Sequence, residues 1–354
     1  MIRILIVEDS PSVALLLKTI FENETDFTVI GQAANGREAI DLAKKLKPDV
    51  ITMDIRMPIM DGLEATRIIM REAPAPIVVI SSAVNDTEMQ ITFRAIGEGA
   101  VSVLEKPSAP TVEKFELICK DLVDTVRAMA DVRVLRRKDS DTNMAAQSHS
   151  AALHRQHRDI SKLELVAIAA STGGPQALAK LLKSLPSNFQ LPIVVVQHIA
   201  EGFLTGMIDW LNAMTPLHCK LATQYEPLLP GHVYFAPDQH HLSVTRLGGG
   251  LLAKVNTGTP YHSHIPSATP LFLSVAKVCQ ANAIGIVMTG MGADGAPGLS
   301  EMKSSGCITI AQEPSSCVIA SMPESAIRMD AIDEILELEK IAQRLMELVP
   351  AQRG

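Results

Sequence analysis

The sequence predicts an α/β protein of two doubly wound, parallel-sheet domains joined by a linker. Three observations carry this. Short apolar runs alternate with amphipathic stretches at the start of the chain, a polar segment without apolar period follows, and the same alternation then resumes. At 354 residues the chain also exceeds what one hydrophobic core organises.

The first region reads as five strands, RILIV, FTVIGQA, DVITMD, PIVVIS and AVSVLEKP. Between them lie helices at 11–21, at 36–46, from Leu63 and before the last strand. Strands separated by helices require right-handed crossovers, hence a parallel sheet with its functional groups at the strand carboxyl ends. From Val112 to Val134 apolar residues recur at helical spacing (Phe115, Ile118, Leu122, Val126, Met129), so the last helix runs on toward the linker. Residues 136–160 are polar and aperiodic, as a flexible linker is. The expected boundaries are 1–125, a linker over 126–161, and 162–350.

The second region begins with LELVAIAAS, a helix near 175–185, PIVVVQH and a helix near 203–213. Turns and short strands fill 217–257, where YFAPDQHHLSV and GGGLLAKV read as an antiparallel hairpin. A helix near 270–280, AIGIVMTG, a helix near 297–305 and CITIAQ follow, with an amphipathic helix over 332–348.

A net charge of -7 argues against broad attraction to nucleic acid or anionic membrane, so the expected partners are proteins. Five scattered cysteines without C-x-x-C spacing show no disulfide framework, which suits the cytoplasm. No apolar run approaches the roughly 18 residues of a membrane span, and MIRILIVEDS reads as a buried strand rather than a signal peptide.

In the first domain Glu8 and Asp9, Asp54, Ser81 and Lys106 all fall at strand ends and converge on one edge. Clustered carboxylates repel one another unless a hard cation neutralises them, so Glu8, Asp9 and Asp54 are expected to hold Mg²⁺. Asp54 is the candidate phosphoacceptor, with Ser81 and Lys106 supporting the transferred phosphoryl oxygens.

In the second domain Ser171 lies between the strand LELVAIAA and the helix signal TGGPQALAKLL, where backbone N–H groups at a helix start suit an oxyanion. His198 ends PIVVVQ, and Asp294 follows AIGIVM within GMGADG. Strand-end placement makes a Ser171–His198–Asp294 triad geometrically plausible, with imidazole as base and Asp294 orienting it. Two other readings stay open. His240, His241, His262 and His264 could serve a metal, although neighbouring strand residues point oppositely, so only one of His240 and His241 could face a common ligand, and no matching carboxylate or cysteine cluster accompanies them. GMGADG also fits a dinucleotide fingerprint, with Glu313 ending the next strand, although Asp294 inside the glycine turn would oppose a pyrophosphate.

Through ILIVEDS, DVITMDIRMPIMDG, VVISSA and EKP, the first domain resembles the response-regulator receiver family, a flavodoxin-like fold. That resemblance implies phosphotransfer from a histidine kinase to Asp54; Val103 stands where many receivers carry an aromatic switch residue. Through AIAASTGGPQAL, VVVQHIAEGF, VYFAPDQHHL, VMTGMGADGAPGL and AQEPSSCVIASMP, the second resembles the protein-glutamate methylesterase family of bacterial chemotaxis, a Rossmann-like hydrolase. It implies demethylation, and deamidation, of chemoreceptors, without a cofactor for hydrolysis. It assigns Ser171 as nucleophile, His198 as base and Asp294 as orienting acid, with oxyanion or substrate roles near Thr172 and Met291. It also implies that the unphosphorylated receiver covers the hydrolase crevice. Ala169, where that family often has Gly, and YHSHIPSATPLF depart from its pattern.

Overall fold

The computed structural model describes residues 1–82, 86–108, 111–130, 132, 162–261 and 264–349. In the first domain strands β1 (Ile2–Val7), β2 (Phe27–Ala33), β3 (Val50–Met53), β4 (Ile77–Ser81) and β5 (Ser102–Glu105) alternate with helices. These are α1 (Pro11–Glu22), α2 (Gly36–Leu46), α3 (Gly62–Glu72), α4 (Asp86–Gly97) and α5 (Val112–Ala130). The strands pair in parallel in the order β2-β1-β3-β4-β5. Every residue of β3 and β4 is buried, as expected of strands covered by helices on both faces. Asn35 and Asp61 start α2 and α3 by accepting from the amides of Glu38 and Glu64. Helix α5 runs past the expected boundary at 125, because Val126 and Met129 are buried in the receiver core. Of the linker expected over 126–161, residues 131 and 133–161 lie outside the described residues.

The second domain opens with β6 (Leu165–Ala170), α6 (Gly174–Lys183), β7 (Ile193–Gln197), α7 (Leu204–Met214), β8 (His218–Leu221) and β9 (His232–Phe235). The hairpin β10 (His241–Leu247) and β11 (Gly250–Asn256) comes next, then α8 (Ala268–Cys279), β12 (Ala283–Val287) and α9 (Ala296–Ser304). The chain finishes with β13 (Ile308–Gln312), α10 (Ser321–Arg328), β14 (Glu334–Leu336) and α11 (Leu338–Leu348). Seven strands make a parallel sheet in the order β14-β13-β12-β6-β7-β9-β8. From β6 the chain builds outward on one side through β7, then crosses to β12 on the other. The crevice outside the end of β6 is therefore the topological switch point, where doubly wound folds bind ligands.

Three expectations need correction. The VYF run does not belong to an antiparallel hairpin: it is β9, inserted in parallel between β7 and β8, and its Val233, Tyr234 and Phe235 are consecutively buried. Among the described strands only β10 and β11 pair antiparallel, and they dock on α8 through Val244 N–H donating to Ser274 Oγ at 2.9 Å. The helix expected over 332–348 begins only at Leu338. Before it, the amide of Asp333 donates to Thr309 O and Leu336 O accepts from the amide of Glu313, which draws Glu334–Leu336 into the sheet. Helix α10 was not expected.

The domains share an apolar boundary. Helix α4 packs on α7, with Phe93 stacked on Trp210 at 6.1 Å. Val318 and Ile319, from the loop before α10, pack against the hydrophobic core of the first domain. Among the described residues no helix is long and apolar enough to cross a membrane.

Candidate active site

At the receiver edge Lys106 Nζ stands 2.9 Å from Glu8 Oε2 and 3.1 Å from Asp54 Oδ2. Ligand oxygens of Glu8, Asp9 and Asp54 all lie within 4.8 Å of one another. Burial pushes the Asp54 and Glu8 carboxyls above their usual range, against the pull of Lys106, and the nearby carboxylates add to the push. Three oxygen donors in that condition fit a hard divalent cation. Gly62 lets α3 start against Asp54, since a Cβ there would come 2.0 Å from Asp54 O. Ser81 ends β4, buried, and Lys106 is held beside it by its amide donating to Ser81 O at 3.0 Å. All five receiver residues thus meet at one edge.

At the second edge the register sets the geometry. Ala170 pairs with Gln197 across β6 and β7, so Ser171 and His198 leave the sheet side by side. The turn after β12 folds over them: Ser171 N–H donates to Thr289 O at 3.0 Å, and a Cβ on Gly290 would lie 2.7 Å from Ser171 Cβ. Asp294, at the end of that turn, places Oδ2 3.0 Å from His198 Nε2, an ion-pair distance without straight hydrogen-bond geometry. Its carboxylate also accepts from Ser267 Oγ, the amides of Ala268, Thr269 and Gly295, and Thr269 Oγ1, all within 2.7–3.1 Å. Burial alone would raise its pKa, but His198 and these donors outweigh burial and hold it well below the usual carboxylate range.

Thr172 and Met291 flank this cluster, Met291 being partly exposed. Among the described residues nothing accepts from either amide, whereas the amides of Gly290 and Gly292 are taken by Ile319 O and Ser321 Oγ. Two unpaired N–H groups beside a strand-end serine are what an oxyanion requires.

The two other readings fare differently. His241 accepts at Nδ1 from Ser267 N–H and so carries its proton on Nε2, facing Thr259 O. His240 faces Asp238 O through Nδ1, and His264 stacks on His198 with ring centroids 4.6 Å apart. His262 lies outside the described residues. The only cluster of three potential metal ligands among the described residues is the receiver's carboxylates. In the glycine turn the Gly295 amide donates to Asp294 itself, which occupies the place a pyrophosphate would need.

Sequence reasoning missed the residues that tie the loops together. Thr289 Oγ1 lies 3.0 Å from Thr172 O and 3.1 Å from Ile319 O, and accepts from Ile319 N–H. Its own amide donates to Gln312 Oε1. The available signal was a polar residue closing each apolar run: Gln197, Thr289 and Gln312.

Fold and site together define a two-domain response regulator whose output domain gathers serine, histidine and aspartate at the switch point of a parallel sheet. Family models match at both ends of the chain, the response regulator receiver domain over residues 4–113 and CheB methylesterase over 166–345. The chain belongs to the CheB methylesterase family. It is 42% identical over 348 residues, covering 98% of each chain, to a protein-glutamate methylesterase/protein-glutamine glutaminase of Syntrophus aciditrophicus. A protein of the same description from Nitrosospira multiformis is 42% identical over 354 residues, all of this chain and 98% of that one. The crystal structure of the CheB methylesterase catalytic domain of Thermotoga maritima superposes with a TM-score of 0.52 at 34% identity, covering 53% of this chain and 99% of that one.

Proposed function

We propose that the protein hydrolyses glutamate γ-methyl esters, and deamidates glutamine, on the cytoplasmic helices of chemoreceptors, under control of phosphorylation at Asp54. The observation that carries the reading is His198 Nε2 at 3.0 Å from Asp294 with Ser171 on the neighbouring strand end. With Nε2 turned to Asp294, Nδ1 is the ring nitrogen left to take the Ser171 proton. Ser171 Oγ then attacks the ester carbonyl, and the oxyanion falls to the amides of Thr172 and Met291. Collapse breaks the C–O bond, methanol leaves with the proton from His198, and water hydrolyses the acyl-enzyme by the reverse path. For glutamine the leaving group is ammonia.

At the receiver, Asp54 attacks the phosphorus of a histidine kinase's phosphohistidine, breaking the P–N bond and leaving an acyl phosphate held by Ser81 and Lys106. Glu8, Asp9 and Asp54 would hold Mg²⁺, which when bound neutralises the clustered oxygens. The partners are therefore a chemotaxis histidine kinase and methyl-accepting receptors, in the cytoplasm, with no nucleic acid and no membrane insertion. The contacts of α4 with α7, and of Val318 and Ile319 with the receiver, support control by a receiver that covers the hydrolase and loosens on phosphorylation.

The test is methanol release from methylated receptor by the wild-type chain and Ser171→Ala, with and without a small-molecule phosphodonor. Release that needs Ser171 and rises with the donor bears the reading out. No release by folded wild type sinks it.

A further inference from the structure

The side chain of Gln197 ends β7 and is almost wholly buried between the two loops that carry the nucleophile and the base. Its Nε2 donates to Ser171 O at 2.8 Å and to His198 O at 2.8 Å. Two carbonyls can accept only from the NH₂ end of a carboxamide, so the chemistry fixes its orientation. Its Oε1 lies against α6, where a Cβ on Gly174 would come within 2.1 Å, so the absence of a side chain at Gly174 makes room for it. No described residue donates to that oxygen.

We infer that Gln197 is a positioning residue for the hydrolase reaction, clamping the main chain of Ser171 and His198 so that the Thr172 amide points at the developing oxyanion. This rests on the proposed ester hydrolysis and adds a residue to it. A trans peptide is planar, so the N–H of Thr172 points opposite to the C=O of Ser171. That carbonyl is gripped twice, by Gly174 N–H at 2.7 Å and by Gln197 Nε2. Gripping the oxygen fixes the peptide plane, and fixing the plane aims the N–H on its other side. The same carboxamide holds His198 O, while His198 N–H donates to Ala170 O at 2.9 Å. The backbone of the base is thereby held at both of its polar groups, which sets the direction of its Cα–Cβ bond. Gln197 touches no reacting atom; it acts through two backbones at once.

The experiment compares full-length wild type, Gln197→Met, Gln197→Glu and Ser171→Ala with phosphodonor present, measuring methanol release from methylated receptor and thermal melting. Met keeps the length and removes the donors; Glu keeps the shape and presents oxygen to both carbonyls. An oxyanion donor out of line lowers kcat by about 10²-fold, as loss of one such donor does, with KM within about two-fold. Glu is expected to be the worse of the two. Folded Gln197→Met with kcat within about three-fold of wild type, or a loss confined to KM, overturns the inference. Failure of both variants to fold assigns Gln197 to the core rather than the site and overturns it equally. The Ser171→Ala control separates these results from failure of the ester-hydrolase reading, which appears instead as wild-type release that does not need Ser171.

Discussion

Gln176, on the first turn of α6 just beyond Ser171, donates its side-chain amide to the main-chain oxygen of Ile96 at 2.9 Å. The same amide also reaches Ala100 O, so one side chain joins the helix after Ser171 to the end of α4 and the turn before β5 of the receiver. Gln176→Ala removes hydrogen bonds worth about 1 kcal/mol each across that boundary. It is expected to raise methanol release without phosphodonor by about ten-fold and to narrow the stimulation by phosphodonor. Unchanged basal release would show that this contact does not restrain the enzyme.

Trp210 is the single tryptophan of the chain and stacks on Phe93 of α4. If phosphorylation parts α4 from α7, its indole moves into water. A red-shifted emission on adding phosphodonor is the expected outcome, absent in Asp54→Asn. An identical spectrum in both states would mean that the α4–α7 contact survives activation.

Asp294 serves two purposes, facing His198 and accepting the amides that open α8. Asp294→Asn replaces one acceptor oxygen with an NH₂ group that confronts an N–H on one side or the imidazole on the other. The expected loss in kcat is up to about 10⁴-fold, the scale for the equivalent change in a serine protease. Loss of the cap should cost about 1–2 kcal/mol of stability. Because its folded-state pKa is depressed, the stability that the ionised Asp294 contributes is present above its ordinary value of 3.8 and is lost as pH falls below it. The gap between the melting curves of wild type and variant should therefore be full near neutrality and begin to narrow only below pH 3.8, closing further as pH falls toward the depressed folded-state value.

At the receiver the sign is opposite. Asp54 and Glu8 are raised above 3.8 and 4.5 by burial, so protons compete for these oxygens at a higher pH than at ordinary carboxylates. Mg²⁺ binding, followed by calorimetry, should weaken on acidification earlier than for an exposed carboxylate site. Glu8→Gln should weaken it at every pH, and Asp54→Asn should abolish phosphodonor labelling. Affinity independent of pH over the range where these groups titrate would argue against carboxylate ligation.

The alternation of buried strands and amphipathic helices was legible because its signal is local, and strand-end chemistry followed from parallel topology. Ser171, His198 and Asp294 stood out for that reason. What escaped depends on distant pairing. Strand β14 is three residues long and exists because Asp333 meets Thr309. Strand β9 looks like half a hairpin until β7 takes it up in parallel. Thr289 reaches Thr172 across 117 positions and Ile319 across 30, a convergence that no periodicity announces.

Val318 and Ile319 belong to the hydrolase by chain position, yet they pack against the receiver core. Halves expressed separately would each bear a sticky, uncovered face where these residues met the receiver core. A chimera that grafts a foreign receiver onto this hydrolase inherits the same demand. Recombination between such proteins is therefore constrained by the fit of this seam, and regulators with unlike receivers cannot simply trade output modules.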